Sequence, residues 1–170
     1  GGLAWFDFDG NKKMPLAARY TTNSSNFAIA WTSRKAPASG SDNYNGVLGG
    51  IGANTTWVGD AVLGQSAPTV EYRAVDGSTY QLGGGAAVSG VYADHVSILN
   101  VTSGTLQAYQ NGVAGNSVGN VVSVSLDGLT FGVDAYMFAG RIYQFIVIPR
   151  ALTTTEISDL TAWMKAKAGF

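Results

Sequence analysis

Short apolar segments separated by turn residues recur along most of this chain, and this pattern constrains the fold more than any other feature. Asp76-Gly77 and Asn111-Gly112 each follow an alternating segment, and such dipeptides favour tight hairpins because both central residues there need positive φ. The chain has 23 glycines and only 12% charged residues. Many short strands joined by turns are typical of a sandwich or barrel. The predicted strands are 3–9, 27–32, 47–51, 70–75, 96–101, 105–110, 121–126, 129–133 and 140–148.

Only the segment after Thr153 has a helical period. Thr153-Thr154-Thr155-Glu156 has the spacing of a capping box, in which the Thr and Glu side chains cap each other's backbone N–H. Leu152 and Ile157 are placed to form a hydrophobic staple, and Ile157, Leu160 and Met164 share one helical face. The sequence therefore predicts one short helix that docks on the sandwich near the C-terminus.

Charge and composition exclude several classes of protein. The chain has 10 basic and 11 acidic residues and a net charge of −1, so it lacks the basic footprint that nucleic acid or an anionic membrane requires. No apolar run is long enough to insert in a membrane. Cysteine is absent, which excludes disulfide frameworks, thiol nucleophiles and cysteine-ligated zinc.

The domain organisation is simple. A length of 170 residues suits one domain, and the sequence shows no linker or repeat, so we expect 1–170 to form a single domain. The chain begins Gly1-Gly2 without a leader. We expect it to be one module excised from a larger protein, in which it would meet other domains or further copies of itself.

The C-terminal half resembles a known family. His95 opens an apolar strand, residues 104–112 read G-T-L-Q-A-Y-Q-N-G, and Arg150-Ala151-Leu152-Thr153 is followed by Glu156-Ile157. This order resembles the laminin-G-like, concanavalin A-like lectin/glucanase jelly roll. The resemblance implies an antiparallel β-sandwich with one short C-terminal α-helix.

The family resemblance also sets the expectation for function. Its members include carbohydrate-binding modules of secreted glycosidases, adhesion domains, receptor-binding parts of phage tail and virion proteins, and some hydrolases and lyases. We therefore expect non-catalytic binding of a polysaccharide or cell-surface glycan, on an extracellular or virion surface. Two alternatives remain open: a structural or protein-adhesion module, and a glycoside hydrolase or polysaccharide lyase.

The acidic residues argue against an enzyme. Glycoside hydrolysis usually needs two carboxylates that flank the scissile bond, but the only glutamates are Glu71 and Glu156. Capping explains Glu156, and Glu71 has Arg73 rather than an acid at the next position on its strand face. His95 is the only histidine, and no G-x-S-x-G motif accompanies it, so we expect a structural role for it.

Sugar recognition needs aromatic faces beside planar polar groups, and aromatics in loops are the informative ones. Tyr44 in the loop 41–46 is the best candidate, and Trp57 in the predicted loop 54–60 is the second. Trp5, Phe6 and Trp31 lie in predicted strands and are expected in the core. The predicted ligand-binding residues are Asp42, Asn43, Tyr44, Asn45, Trp57, Asp60, Tyr92, Asp94 and Tyr136.

A calcium ion at the sandwich rim is a further expectation from the resemblance. Calcium takes six to eight oxygen ligands, and Asp and Asn residues are frequent in the predicted turns. The acidic pair of the family's G-x-I-D-E motif is absent, because Tyr143 and Gln144 stand in those positions. The sequence leaves calcium open and predicts no other cofactor.

Overall fold

A computed structural model describes residues 4–9, 14–22, 24–35, 46–49, 57–63, 67–73, 79–82, 93–119, 124–129 and 139–170. These residues form twelve strands and one helix. The strands are β1 (Phe6–Asp9), β2 (Met14–Thr22), β3 (Phe27–Lys35), β4 (Gly46–Gly49), β5 (Trp57–Leu63), β6 (Ala67–Arg73), β7 (Thr79–Leu82), β8 (His95–Thr102), β9 (Thr105–Gln110), β10 (Val113–Val118), β11 (Val124–Leu129) and β12 (Ala139–Ile148), and the helix is α1 (Thr154–Ala168).

The strands form two antiparallel sheets of six strands each. The first sheet has the order β1-β12-β3-β8-β9-β10, and the second has the order β2-β11-β4-β5-β6-β7. The predicted all-β jelly-roll sandwich with one C-terminal helix is therefore confirmed. Strand β1 lies at an edge of the first sheet and pairs with β12.

Local sequence signals explain the hairpins of the first sheet. Asn111 and Gly112 join β9 to β10 with φ of 53° and 86°, as the Asn-Gly signal predicts. Ser103 and Gly104 join β8 to β9 with φ of 49° and 77°. The second predicted hairpin turn, Asp76-Gly77, lies outside the described residues.

Helix α1 begins at the residue that the capping-box sequence predicts. The Thr153 hydroxyl accepts a hydrogen bond from the Glu156 backbone N–H at 3.3 Å, and the Glu156 carboxylate accepts one from the Thr153 N–H at 2.8 Å. Gly169 ends the helix with φ of 86°. The helix is too short to cross a membrane, and the described part of the chain holds no other helix.

The helix covers one end of the outer face of the first sheet. Alternate residues of β3 and β8 lie in one buried cluster with α1 and its N-terminal flank, and the members are Ala28, Ala30, Val96, Ile98, Leu152, Ile157 and Met164. The intervening residues, such as Ile29 and Leu99, are equally buried and point to the opposite, inner face because side chains alternate along a strand. Strand β3 is thus a continuous apolar run because both of its faces are covered.

Asn100 fixes the start of the helix to β8. Its side-chain amide donates to the Leu152 carbonyl at 2.9 Å and accepts from the Leu152 N–H at 2.8 Å. Asn100 is itself buried, so both hydrogen bonds are shielded from water. This paired contact sets where the chain leaves β12 and turns into α1.

Candidate functional site

Beyond the end of the helix, the same outer face carries charged residues in one row. Arg141 on β12 pairs with Asp7 on one side and with Arg34 on the other. Asp94 precedes His95, which pairs with Ser33, so the Asp94 backbone lies level with Arg34. The row across four neighbouring chain segments therefore reads acid, base, base, acid. Together with two aromatic neighbours it forms what we call the open patch: Trp5, Asp7, Arg34, Asp94, Arg141 and Tyr143.

Trp5 is an exposed aromatic side chain held in place by two neighbours. Its indole N–H donates to Asp7 Oδ2 at 3.0 Å. The Arg141 guanidinium carbon lies 4.8 Å from the centre of the Trp5 ring, within the range of a cation–π interaction. The residue is still 41% exposed, so a large apolar surface faces solvent in a defined orientation.

The ion pair between Asp7 and Arg141 orients Trp5. Arg141 Nε lies 3.0 Å from Asp7 Oδ1, and the two side chains are 42% and 64% exposed. An exposed pair of this kind contributes at most about 1 kcal/mol to stability. Because one Asp7 oxygen binds the guanidinium and the other binds the indole, the pair links the charge row to the aromatic ring.

Tyr143 links the two sides of the open patch. Its hydroxyl donates to Asp94 Oδ1 at 2.5 Å, and its ring centre lies 6.4 Å from that of Trp5 with a tilt of 59°. Burial, and then the hydrogen bond to Asp94, raises the pKa of Tyr143 above its ordinary value of 10.0. The phenol therefore stays protonated and acts as a donor.

A β-bulge gives Tyr143 its position. The pairing of β12 with β3 shifts between Ile142 and Gln144, so Tyr143 is the extra residue on β12. Ile142 is buried, whereas Gln144 donates to the Met164 carbonyl under the helix at 3.2 Å. Bulges redirect a side chain at the point where regular pairing is interrupted. This bulge lies between Gln144, which contacts the helix, and the residues of the open patch.

The structure brings one sequence-predicted site residue, Asp94, into the patch. Trp57 and Asp60 lie within strand β5, where they pair with Arg73 and Val70, so the predicted loop 54–60 is wrong in its last four residues. Their contact with a ligand stays a prediction. The remaining predicted residues lie outside the described part of the chain: Asp42, Asn43, Tyr44, Asn45, Tyr92 and Tyr136.

Sequence reasoning missed Trp5 and its partners. Trp5 and Phe6 are predicted as core residues but are 41% and 51% exposed, because β1 is an edge strand and pairs on one side only. Arg141 and Tyr143 lie within the stretch 140–144 where the sequence departs from the family motif. That departure was a usable signal for Tyr143, since a phenol and an amide, Tyr143 and Gln144, stand in place of the two acidic residues, whereas Arg141 occupies a variable position of the motif.

His95 has the structural role that the sequence predicts. It is fully buried, its Nδ1 lies 3.0 Å from the Ala93 carbonyl oxygen, and its Nε2 lies 3.3 Å from the Ser33 hydroxyl. It shares strand β8 with the core of the first sheet, and the backbone that follows Asp94 is held by these contacts. His95 therefore supports the patch from beneath without reaching its surface.

The described carboxylates do not fit a calcium site. Asp7 and Asp94 stand at opposite ends of the charge row with two guanidinium groups between them. Within the ranges that the structure describes, no group of three or more His, Asp or Glu side chains could hold a metal ion. The turn residues for which calcium is expected lie mostly outside those ranges, so that expectation stays a prediction.

Comparison with known proteins shows the fold. No protein-family model matches this sequence, and no curated protein matches it either. A pentraxin of Limulus polyphemus is 14% identical with a TM-score of 0.68, and the match covers 92% of this chain and 81% of that chain. Domain 4 of AbnA, an extracellular GH43 arabinanase from Geobacillus stearothermophilus in complex with arabinotriose, is 16% identical with a TM-score of 0.65, over 95% of this chain and 82% of that one.

A third structure is a complete carbohydrate-binding module. The CBM40 of Ruminococcus gnavus IT-sialidase, bound to α2,3-sialyllactose, is 14% identical with a TM-score of 0.53, over 95% of this chain and 100% of that chain. At such low identity the likeness concerns the backbone only. It supports the concanavalin A-like jelly roll that the sequence motifs indicate.

Proposed function

We propose that this chain is a non-catalytic, lectin-like glycan-binding module and that the open patch is its binding surface. The exposed Trp5 indole, held by Asp7 and Arg141, is the observation that carries the proposal. An indole packs against the apolar face of a sugar ring, while carboxylate and guanidinium groups exchange hydrogen bonds with its hydroxyls. Because Trp5 is already held in one orientation, it loses less side-chain entropy on binding than a freely rotating side chain would.

The ligands bound to two of the similar structures support this proposal. One is in complex with arabinotriose and another is bound to sialyllactose, and the first belongs to an extracellular enzyme. About half of the receptor-binding domain of botulinum neurotoxin type G has a similar fold, with a match that covers 46% of that chain at a TM-score of 0.53. We propose an extracellular or virion-surface location, where several copies in a parent assembly would raise a weak single-site affinity through avidity.

The chemistry of the patch favours binding over catalysis. A lowered pKa is one way to activate a nucleophile, but the pKa of Tyr143 is raised. Asp7 and Asp94 are separated by two guanidinium groups along the row, whereas a glycosidase places its two carboxylates on either side of one bond. These features suit a surface that holds a sugar without cleaving it.

The test compares two exposed tryptophans on an array of glycans and bacterial polysaccharides. Trp5→Ala should weaken binding at least about tenfold, which is about 1.4 kcal/mol. Trp163→Ala is the matched control, because Trp163 is 49% exposed on α1 and lies outside the patch; it should bind as the parent does. Thermal unfolding of both variants checks that they are folded. Unchanged binding by Trp5→Ala would remove the patch as the site.

The same array separates the patch from the loops that the sequence favours. Tyr44→Ala and Trp57→Ala should leave binding intact if the patch alone holds the ligand, and either should abolish it if the rim does. A parallel run with a calcium chelator tests the calcium prediction. Sensitivity to the chelator would show that glycan binding requires a bound metal ion such as calcium.

A structural or protein-adhesion module is the second candidate. Phe6 is 51% exposed on the edge strand β1, and exposed apolar edges favour pairing with another chain. This function predicts a blank glycan array and a concentration-dependent oligomer in light scattering. Phe6→Ser should then dissociate the oligomer into monomers. The glycan-binding function predicts instead that Phe6→Ser has little effect on sugar binding.

A further inference from the structure

We infer that the open patch selects neutral glycans over sialylated, uronate-containing or sulfated ones. The inference rests on the proposed function and names the ligand class of the same site. This ligand class differs from that of the similar CBM40 domain, which is bound to a sialylated sugar. The patch itself is balanced in charge.

Every positive group in the row has a carboxylate beside it. Arg141 contacts Asp7 at 3.0 Å, and Arg34 lies level with Asp94. Two arginines and two aspartates sum to zero charge. The whole chain, at −1, adds no long-range attraction for anions.

An anionic sugar that contacts either guanidinium would also be repelled by a neighbouring carboxylate of the same charge. A carboxylate or sulfate placed on Arg141 would lie beside Asp7, which already binds that group. On Arg34 it would lie beside Asp94 in the same row. Juxtaposed like charges oppose binding and so discriminate against the wrong partner.

A neutral diol fits the same groups. One hydroxyl can donate to a carboxylate oxygen while its neighbour accepts from a guanidinium N–H, and the row presents these acceptors and donors side by side. Asp7 and Arg141 remain accessible for such contacts because both side chains are partly exposed. The Trp5 ring supplies the apolar contact next to them.

The experiment measures binding to pairs of related glycans in which one member is neutral and the other is anionic. The pairs are lactose and α2,3-sialyllactose on the same support, and methyl-esterified and free polygalacturonate. Each is measured at low salt and at about 0.15 M salt, where charges beyond a Debye length are screened. We expect binding confined to neutral members, dependent on Trp5 and insensitive to salt.

A charge variant sharpens the test. Asp94→Asn leaves the patch with a net positive charge, and it should raise binding of the anionic member of a pair by about fivefold or more at low salt. Asp159→Asn makes the same change on exposed α1, outside the patch, and should not. An Asp94→Asn variant with no gain for the anionic glycan contradicts the inference.

The outcomes distinguish the inference from the proposed function. Trp5-dependent binding of neutral glycans supports both. Trp5-dependent preference for sialylated or uronate glycans overturns the neutral class and leaves glycan binding by the patch standing. A blank array, or binding that does not depend on Trp5, overturns both, because the patch would then hold no sugar.

Discussion

The two ends of one sheet face differ in what they bury and what they present. At the covered end, Ala28 and Ile98 pack against Met164 of the helix in an apolar cluster. At the open end, the same strand β3 reaches the exposed Arg34, and β12 presents Arg141. The comparison shows that one sheet face can hold both a buried core and an exposed row of charged and aromatic side chains.

The boundary between the two ends is also defined. Gln144 donates to the Met164 carbonyl at 3.2 Å, and the next residue towards the open end is the bulged Tyr143. The strands that pack under the helix at one end therefore present patch residues at their opposite end. Stability is expected to depend on the covered end and ligand binding on the open end.

The largest effect on stability is expected from Met164→Ala. Met164 is fully buried between α1 and the sheet, and truncation of such a side chain costs about 2–5 kcal/mol. Urea unfolding measures this cost. Trp163→Ala, the neighbouring exposed position, should cost less than about 1 kcal/mol. Equal losses of unfolding free energy in the two variants would contradict the assignment of the core to the covered end.

An intermediate effect is expected from Asn100→Ala. The variant removes both hydrogen bonds to Leu152 and leaves buried backbone groups without a partner, which costs about 1–3 kcal/mol. Ser97→Ala is the control on the same strand, because the buried Ser97 hydroxyl has no hydrogen-bond partner among the described residues. Removing this hydroxyl should leave the free energy of unfolding, measured by chemical denaturation, nearly unchanged. A Ser97→Ala variant as unstable as Asn100→Ala would contradict this assignment.

The smallest effect is expected at Glu156, in the pH dependence of stability. The hydrogen bond to Arg150, followed by those to Thr153, lowers the pKa of Glu156 from 4.5 to about 2. A lowered pKa in the folded state means that this contribution is present above pH 4.5 and is lost as the pH falls towards 2. Glu156→Gln should therefore flatten the fall in melting temperature over that range. Identical slopes would show that the capping carboxylate does not contribute.

Local signals predicted the elements that depend on few neighbours. The capping box set the start of α1, and Asn111-Gly112 set a hairpin, because both motifs act within a few residues. Strand β2 was missed, since Met14-Pro15 opens a segment without regular alternation. Strand β11 spans Val124–Leu129 and so crosses the gap predicted between the strands 121–126 and 129–133. Residues 121–123 and 130–133 lie outside the described part of the chain.

The candidate site was less predictable than the fold. Asp94 was identified because acidic residues near turns and aromatics suit sugar binding. Trp5 was assigned to the core, since an aromatic residue in an alternating segment is usually buried. Its exposure depends on the place of β1 at the sheet edge, which strand order decides.

The sequence by itself determined an all-β sandwich, its capped C-terminal helix and a net charge of −1. Those conclusions follow from periodicity, turn chemistry and charge, which are written in short stretches of the chain. Only the tertiary structure decided that Trp5, Arg141 and Asp94 lie together, because they come from three distant segments joined by pairing across β12, β3 and β8. Register between remote strands depends on the packing of the whole sheet, so no local pattern could place these residues on one face.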